Sequence, residues 1–153
     1  MTRLTPHFTL DELVRSQTAS RHGLDNTPPG AALLNLARLA ETLERIRVAV
    51  GSRSIQITSG YRSPALNQRI GGSCTSAHMD GRAADIVVRG RSPLQVARAI
   101  QASGLVLDQL IFEGDWCHVG IARVGEVSRG DVLTARFLPG VAVRYERGIV
   151  AAA

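Results

Sequence analysis

Residues 76–88 read SAHMDGRAADIVV, and Asp85 stands inside the apolar run that closes the stretch. A carboxylate carried into a strand is costly to bury unless something neutralises it. Whatever this chain folds into must therefore bring a partner to Asp85. His78 lies just upstream, and Gly81 supplies a turn between the two. A histidine and an aspartate flanking one glycine turn point into one cleft.

The chain has 153 residues, 44% of them hydrophobic, with a mean hydropathy of +0.04. That length suits one domain with one core. The expected division is a single domain over 1–153, with its core in 8–122 and a C-terminal tail in 123–153. The composition is that of a soluble globular chain, and no apolar run approaches a membrane span. The opening MTRLTPHFTLDEL lacks the apolar centre of a signal peptide. The reading is synthesis in the cytoplasm, with any action outside depending on separate release. The net charge is +5, and all 18 basic residues are arginine. Such a charge attracts polyanions. However, the arginines are scattered and aromatics make up only 4%. A nucleic-acid platform interleaves basic residues with stacking rings, so no nucleic-acid partner is expected. Cys74 and Cys117 are far apart, and a disulfide framework is not expected in a cytoplasmic product.

Local signals place the elements. Thr9 and Glu12 form a capping box that opens a short helix reaching about Gln17. Residues 20–30 read as a loop. A long helix begins near Pro29, with Leu33, Leu36, Ala40, Leu43 and Val50 on one face and Gly51 as its stop. Residues 54–59 alternate as a strand, with Ile55 and Ile57 on one face. Ser63, Pro64 and Gly71-Gly72 delimit a second short helix. Residues 83–88 form a strand. Ser92-Pro93 starts another helix, which Gly104 ends. Residues 105–113 and 116–122 are strands joined by Gly114-Asp115, a hairpin connection. Past Gly125, residues 141–145 read as one more strand. Helices precede strands, and strands neighbour each other in hairpins. The expected class is α+β, an antiparallel sheet with helices packed on one side.

Three candidate metal ligands emerge: His78, Asp85 and His118. Two imidazoles and one carboxylate, with a fourth position open to water, make a catalytic zinc site. A cysteine-rich alternative would use Cys74, His78 and Cys117. It is disfavoured because Cys117 and His118 are strand neighbours and face opposite ways. A hydrolase also needs a general base. With Gly114-Asp115 as the turn, Glu113 pairs with Trp116 and Ile111 with His118. Glu113 then shares the face of His118, while Asp115 sits at the turn tip. Arg62 offers a carboxylate clamp. Ser76 shares a face with His78 if that segment is extended.

SGYRSPALNQRIGG, SAHMDGRAADI and WCHVGI occur in this order. Together they resemble the zinc D-Ala-D-Ala carboxypeptidase-like peptidases of the M15 type, in their compact phage and prophage branch. The resemblance covers about 8–122. It implies the hedgehog/DD-peptidase-like α+β fold, one zinc ion, and His78, Asp85 and His118 as its ligands. It implies that Arg62 binds and polarises substrate, with Tyr61 and Ser76 beside the substrate. It puts the base at the acid three residues before the last histidine, Asp115, whereas hairpin geometry favours Glu113. Both are retained, Asp115 first. The implied substrate is a peptidoglycan stem peptide, cut at D-Ala-D-Ala or between L-Ala and D-Glu. The implied setting is a monomeric phage or prophage endolysin, without stable membrane insertion, that reaches the wall after release. The competing reading is a zinc-containing binding module or virion part that has lost turnover.

Overall fold

The structure is a computed structural model and describes residues 1–151. Its elements in chain order are α1 (Leu10–Val14), α2 (Gln17–Arg21), α3 (Gly30–Ala49), β1 (Ile55–Ser59) and α4 (Pro64–Arg69), then a 3-10 helix (Ala77–Asp80). These are followed by β2 (Ala83–Val88), α5 (Pro93–Ala102), β3 (Gln109–Phe112), β4 (Cys117–Gly120), β5 (Asp131–Arg136) and β6 (Arg144–Arg147). The six strands form one sheet in the order β1-β2-β4-β3-β5-β6. Every pairing is antiparallel except β3 with β5, which is parallel. This is the expected α+β class, with a single parallel seam in the sheet.

The local signals act as expected where both partners are close in sequence. Thr9 and Glu12 make both capping-box bonds. Ser63 and Ser92 cap α4 and α5, each with proline in the first turn. The expected helix from Thr9 to about Gln17 is instead two helices. Arg15 is extended, and Ser16 caps α2 through the Ala19 amide, so α2 takes up residues assigned to the loop. On α3, Leu36, Ala40 and Leu43 are buried, as are Ala32, Leu39 and Ile46. Leu33 stands exposed at the edge of that stripe, 37% accessible.

The sheet has one dry face. Ala84, Ile86, Val88, Leu110, Phe112, Cys117 and Val119 join Leu36, Leu39, Leu43 and Ile46 of α3, and Val96 and Ile100 of α5, in one hydrophobic core. Period-two alternation sends their strand neighbours to the opposite face. That second face carries the chemistry.

The far edge departs most from expectation. The strand expected over 141–145 lies at Arg144–Arg147, and its partner β5 was not foreseen. β5 becomes a strand by docking beside β3, whose register pairs Leu110 with Val132 and Ile111 with Leu133. Such distant pairing leaves no local signature. β3 begins at Gln109 rather than 105, because residues 105–107 run irregularly after the Ser103-Gly104 turn and the Asp108 side chain faces Arg129.

Candidate metal centre

β2 and β4 pair in a register that sets Asp85 opposite His118, and β4 and β3 set His118 opposite Ile111. Directly opposed residues share a face, so Asp85 and His118 meet on the side away from the core. Residue for residue, this hairpin has the expected register. Glu113 also donates its amide to the Trp116 carbonyl at 3.0 Å.

His78 arrives from outside the sheet. Its segment is a 3-10 helix, not the extended stretch on which Ser76 would share its face. Instead, the Ser76 hydroxyl caps the helix by accepting from the His78 amide at 3.3 Å. Ser76 still lines the cleft. Gly81 ends this helix at φ 74°, in the left-handed region that glycine tolerates best. A Cβ there would also approach Ala32 O to 2.6 Å, so the turn packs directly on α3.

The three side chains converge. His78, Asp85 and His118 are all buried, and their ligand atoms lie within 4.8 Å of one another. Asp85 Oδ1 is 3.3 Å from His78 Nε2 and 3.0 Å from His118 Nδ1. The His78 Nδ1 lies 2.7 Å from the Gly60 carbonyl. A carbonyl only accepts, so Nδ1 carries the proton and Nε2 is left with a bare lone pair facing a carboxylate oxygen. That contact is unfavourable unless Nε2 gains a second proton or a cation sits between the atoms. Burial pulls the His78 pKa down, and His118 and Arg62 add to this against the pull of Asp85. A second proton on His78 is therefore disfavoured, and a metal ion fits the gap. The backbone bond at Nδ1 is the outer partner that orients a metal-ligating histidine.

Burial opposes the ionised form of Asp85, yet the two imidazoles beside it, His118 foremost, hold its pKa well below the usual carboxylate range. Arg62 places Nη2 3.4 Å from Asp85 Oδ2. Its Nε donates to Ser59 Oγ at 3.1 Å, and its Nη1 faces Asn67 Oδ1 at 3.5 Å. Burial lowers the Arg62 pKa against the nearby charges of Asp85 and Glu113, but a guanidinium stays charged at neutral pH. The supporting residues Asn67 and Gly60 were not singled out as site residues. The asparagine of the ordered motif was the available signal for Asn67; a backbone carbonyl has none.

A cleft of about 530 Å³ opens over these groups, and it is lined by Arg62, Ser76, His78, Asp85, Glu113 and His118 among others. Glu113 accepts from Trp116 Nε1 at 2.9 Å. Its pKa is raised by burial and then by Asp85, against the opposing effects of His118, Trp116 and Arg62. Asp115 is not brought into the cleft; it is exposed at the turn, its amide bonded back to Glu113 O. Tyr61 is not brought in either. It is buried in the hydrophobic core and lines a separate groove behind Arg62. The cysteine alternative does not assemble. Cys74 is exposed, while Cys117 faces the core, bonded to Pro93 O, its pKa pushed up to about 12 by burial.

A family model described as Peptidase M15 matches residues 6–120. Over 62 residues the chain is 34% identical to the zinc D-Ala-D-Ala carboxypeptidase of Streptomyces albus G. That stretch is 40% of this chain and 24% of the relative, so the chain spans about a quarter of the length of the curated protein it matches.

Proposed function

We infer the activity from one premise: this chain belongs to the peptidase M15 family. We propose a zinc-dependent peptidase that hydrolyses an amide bond in peptidoglycan stem peptides. The observation that carries this is the buried convergence of His78, Asp85 and His118 beneath an open cleft, with the His78 Nε2 lone pair turned toward Asp85. Zinc held by these three side chains would supply a Lewis acid for the amide carbonyl and a lowered pKa for attacking water.

The chain's own groups do the rest. Glu113 takes the proton from the attacking water at its free carboxylate oxygen and passes it to the leaving nitrogen. Trp116 holds the other oxygen, Oε2. The raised pKa of Glu113 makes it a stronger base than an exposed glutamate. Arg62, fixed by Ser59 and Asn67, directs guanidinium donors toward oxygen charge developing on the substrate carbonyl. Ser76 offers a polar contact at the cleft wall. The dry face behind β2 and β4 keeps these groups from shifting.

Peptidoglycan purified from a bacterial wall, incubated with and without a zinc chelator, tests the reading by mass spectrometry of new termini. Chelator-sensitive release of D-Ala marks a carboxypeptidase, and new D-Glu amino termini mark an endopeptidase. No product in either arm sinks the enzyme reading and leaves a binding module. Glu113→Gln should lower kcat by roughly 10²–10⁴ with zinc retained. Asp115→Ala should stay within about threefold of the parent, since exposed positions are usually tolerant; the reverse pattern would make Asp115 the base. A phage or prophage lytic role rests on the motif resemblance, and turbidity loss of a cell suspension on external addition tests it.

A further inference from the structure

The cleft does not end where the family match ends. Arg129, Leu133 and Tyr145 lie beyond residues 6–120, yet all three line the same cleft as His118 and Glu113. Strand register explains how they get there. His118 pairs with Ile111, and Ile111 with Leu133, so one continuous row on the metal-side face crosses β4, β3 and β5. On β6, Tyr145 pairs with Ala135, two residues along from Leu133 and on the same face. The result is an apolar floor of Ile111 and Leu133 running from the metal centre to an aromatic wall. Tyr145 is 56% exposed, a large ring left open on a cleft. Burial and then the nearby charge of Glu113 raise its phenol pKa, so the hydroxyl remains a donor at neutral pH.

Arg129 closes one side. Its backbone amide, Nε and Nη2 all bond Asp108, which is buried, so the arginine is braced. Its side chain is nonetheless 61% accessible, and Nη1 is not used in that pair. A braced guanidinium at a cleft wall is an anchor for a carboxylate or carbonyl oxygen.

We propose that the β5–β6 hairpin forms an extended peptide subsite, in which Tyr145 and Arg129 grip the substrate chain on one side of the scissile amide. The subsite rests on the peptidase reading above and specifies the length of its substrate. From β4 across β3 and β5 to β6 are three strand spacings, roughly 14 Å at about 4.8 Å each. An extended peptide rises about 3.3 Å per residue. A ligand that reaches Tyr145 must therefore extend about four residues from the metal centre. A dipeptide occupies the centre alone.

Calorimetric titration of the zinc-loaded full chain with a stem pentapeptide and with D-Ala-D-Ala tests this. Tyr145→Ala should weaken pentapeptide binding about tenfold, leaving dipeptide affinity and zinc stoichiometry unchanged. Tyr145→Phe should recover most of the loss if the ring is the main contact, and little if the hydroxyl is. If Tyr145→Ala binds the pentapeptide as the parent does, or weakens both ligands equally, the subsite is overturned while the peptidase reading stands. A parent protein that binds neither peptide and releases nothing from peptidoglycan overturns both.

Discussion

The two faces of one sheet behave differently although they are built from the same strands. Ile86 and Val119 point toward α3 and α5 and are inaccessible; Asp85 and His118, one residue away on each strand, point into the cleft. The dry face is held by many weak, interchangeable contacts. The wet face depends on a few charged atoms, each needing a particular partner at a particular distance. A substitution on the dry face should therefore change stability and spare chemistry, and one on the wet face should act first on chemistry.

The largest effect is expected from Asp85→Ala. It removes one of the three proposed metal ligands and leaves Arg62 and two imidazoles without their common partner. Zinc content by elemental analysis should fall well below one ion per chain, and peptidase activity should drop by roughly 10³ or more. Full activity in this variant would break the comparison outright. Next comes Ile86→Ala on the dry face. It should cost about 2–5 kcal/mol in a urea melt, while zinc bound per folded chain stays unchanged.

Acid distinguishes the faces in the metal-free protein. The Asp85 pKa is lowered on folding. Its stabilisation is therefore fully present above the unfolded carboxylate pKa of about 3.9 and is lost as pH falls through the lower folded value. The stability cost of Asp85→Asn, measured by urea melts, should shrink toward the acid end. The cost of Ile86→Ala should not track pH in this way.

The smallest effect sharpens the picture at the cleft rim. Trp116→Phe removes the hydrogen bond that lowers the Glu113 pKa against burial. A base must be ionised to act, so the acid limb of the kcat profile should move to higher pH, with the plateau rate within about tenfold. An unmoved acid limb would take the proton-transfer role away from Glu113.

Much of the wet face was legible in the chain. Asp85 inside an apolar run demanded a partner, and the Gly114-Asp115 turn set Ile111 opposite His118 and Glu113 toward Trp116. These are local relations, governed by alternation and by one tight turn. Ser76 was read with the wrong local structure because the single 3-10 turn over Ala77–Asp80 carries no periodicity that separates it from an extended segment. Tyr61 and Arg62 are neighbours, yet one enters the core and the other the cleft. That division depends on where α1 crosses, its Leu13 carbonyl accepting the Tyr61 amide at 2.7 Å.

The sequence by itself determined the caps, the alternation of β2 and β4 and the residue types able to hold a metal, because each depends on neighbours a few positions away. Tertiary structure alone decided that the Gly60 carbonyl sets the tautomer of His78 and that Tyr61 enters the core while Arg62 enters the cleft. It also brought β5 and β6 beside β3 to extend the cleft floor. Those outcomes rest on contacts between segments distant in the chain, which no pattern of near neighbours specifies.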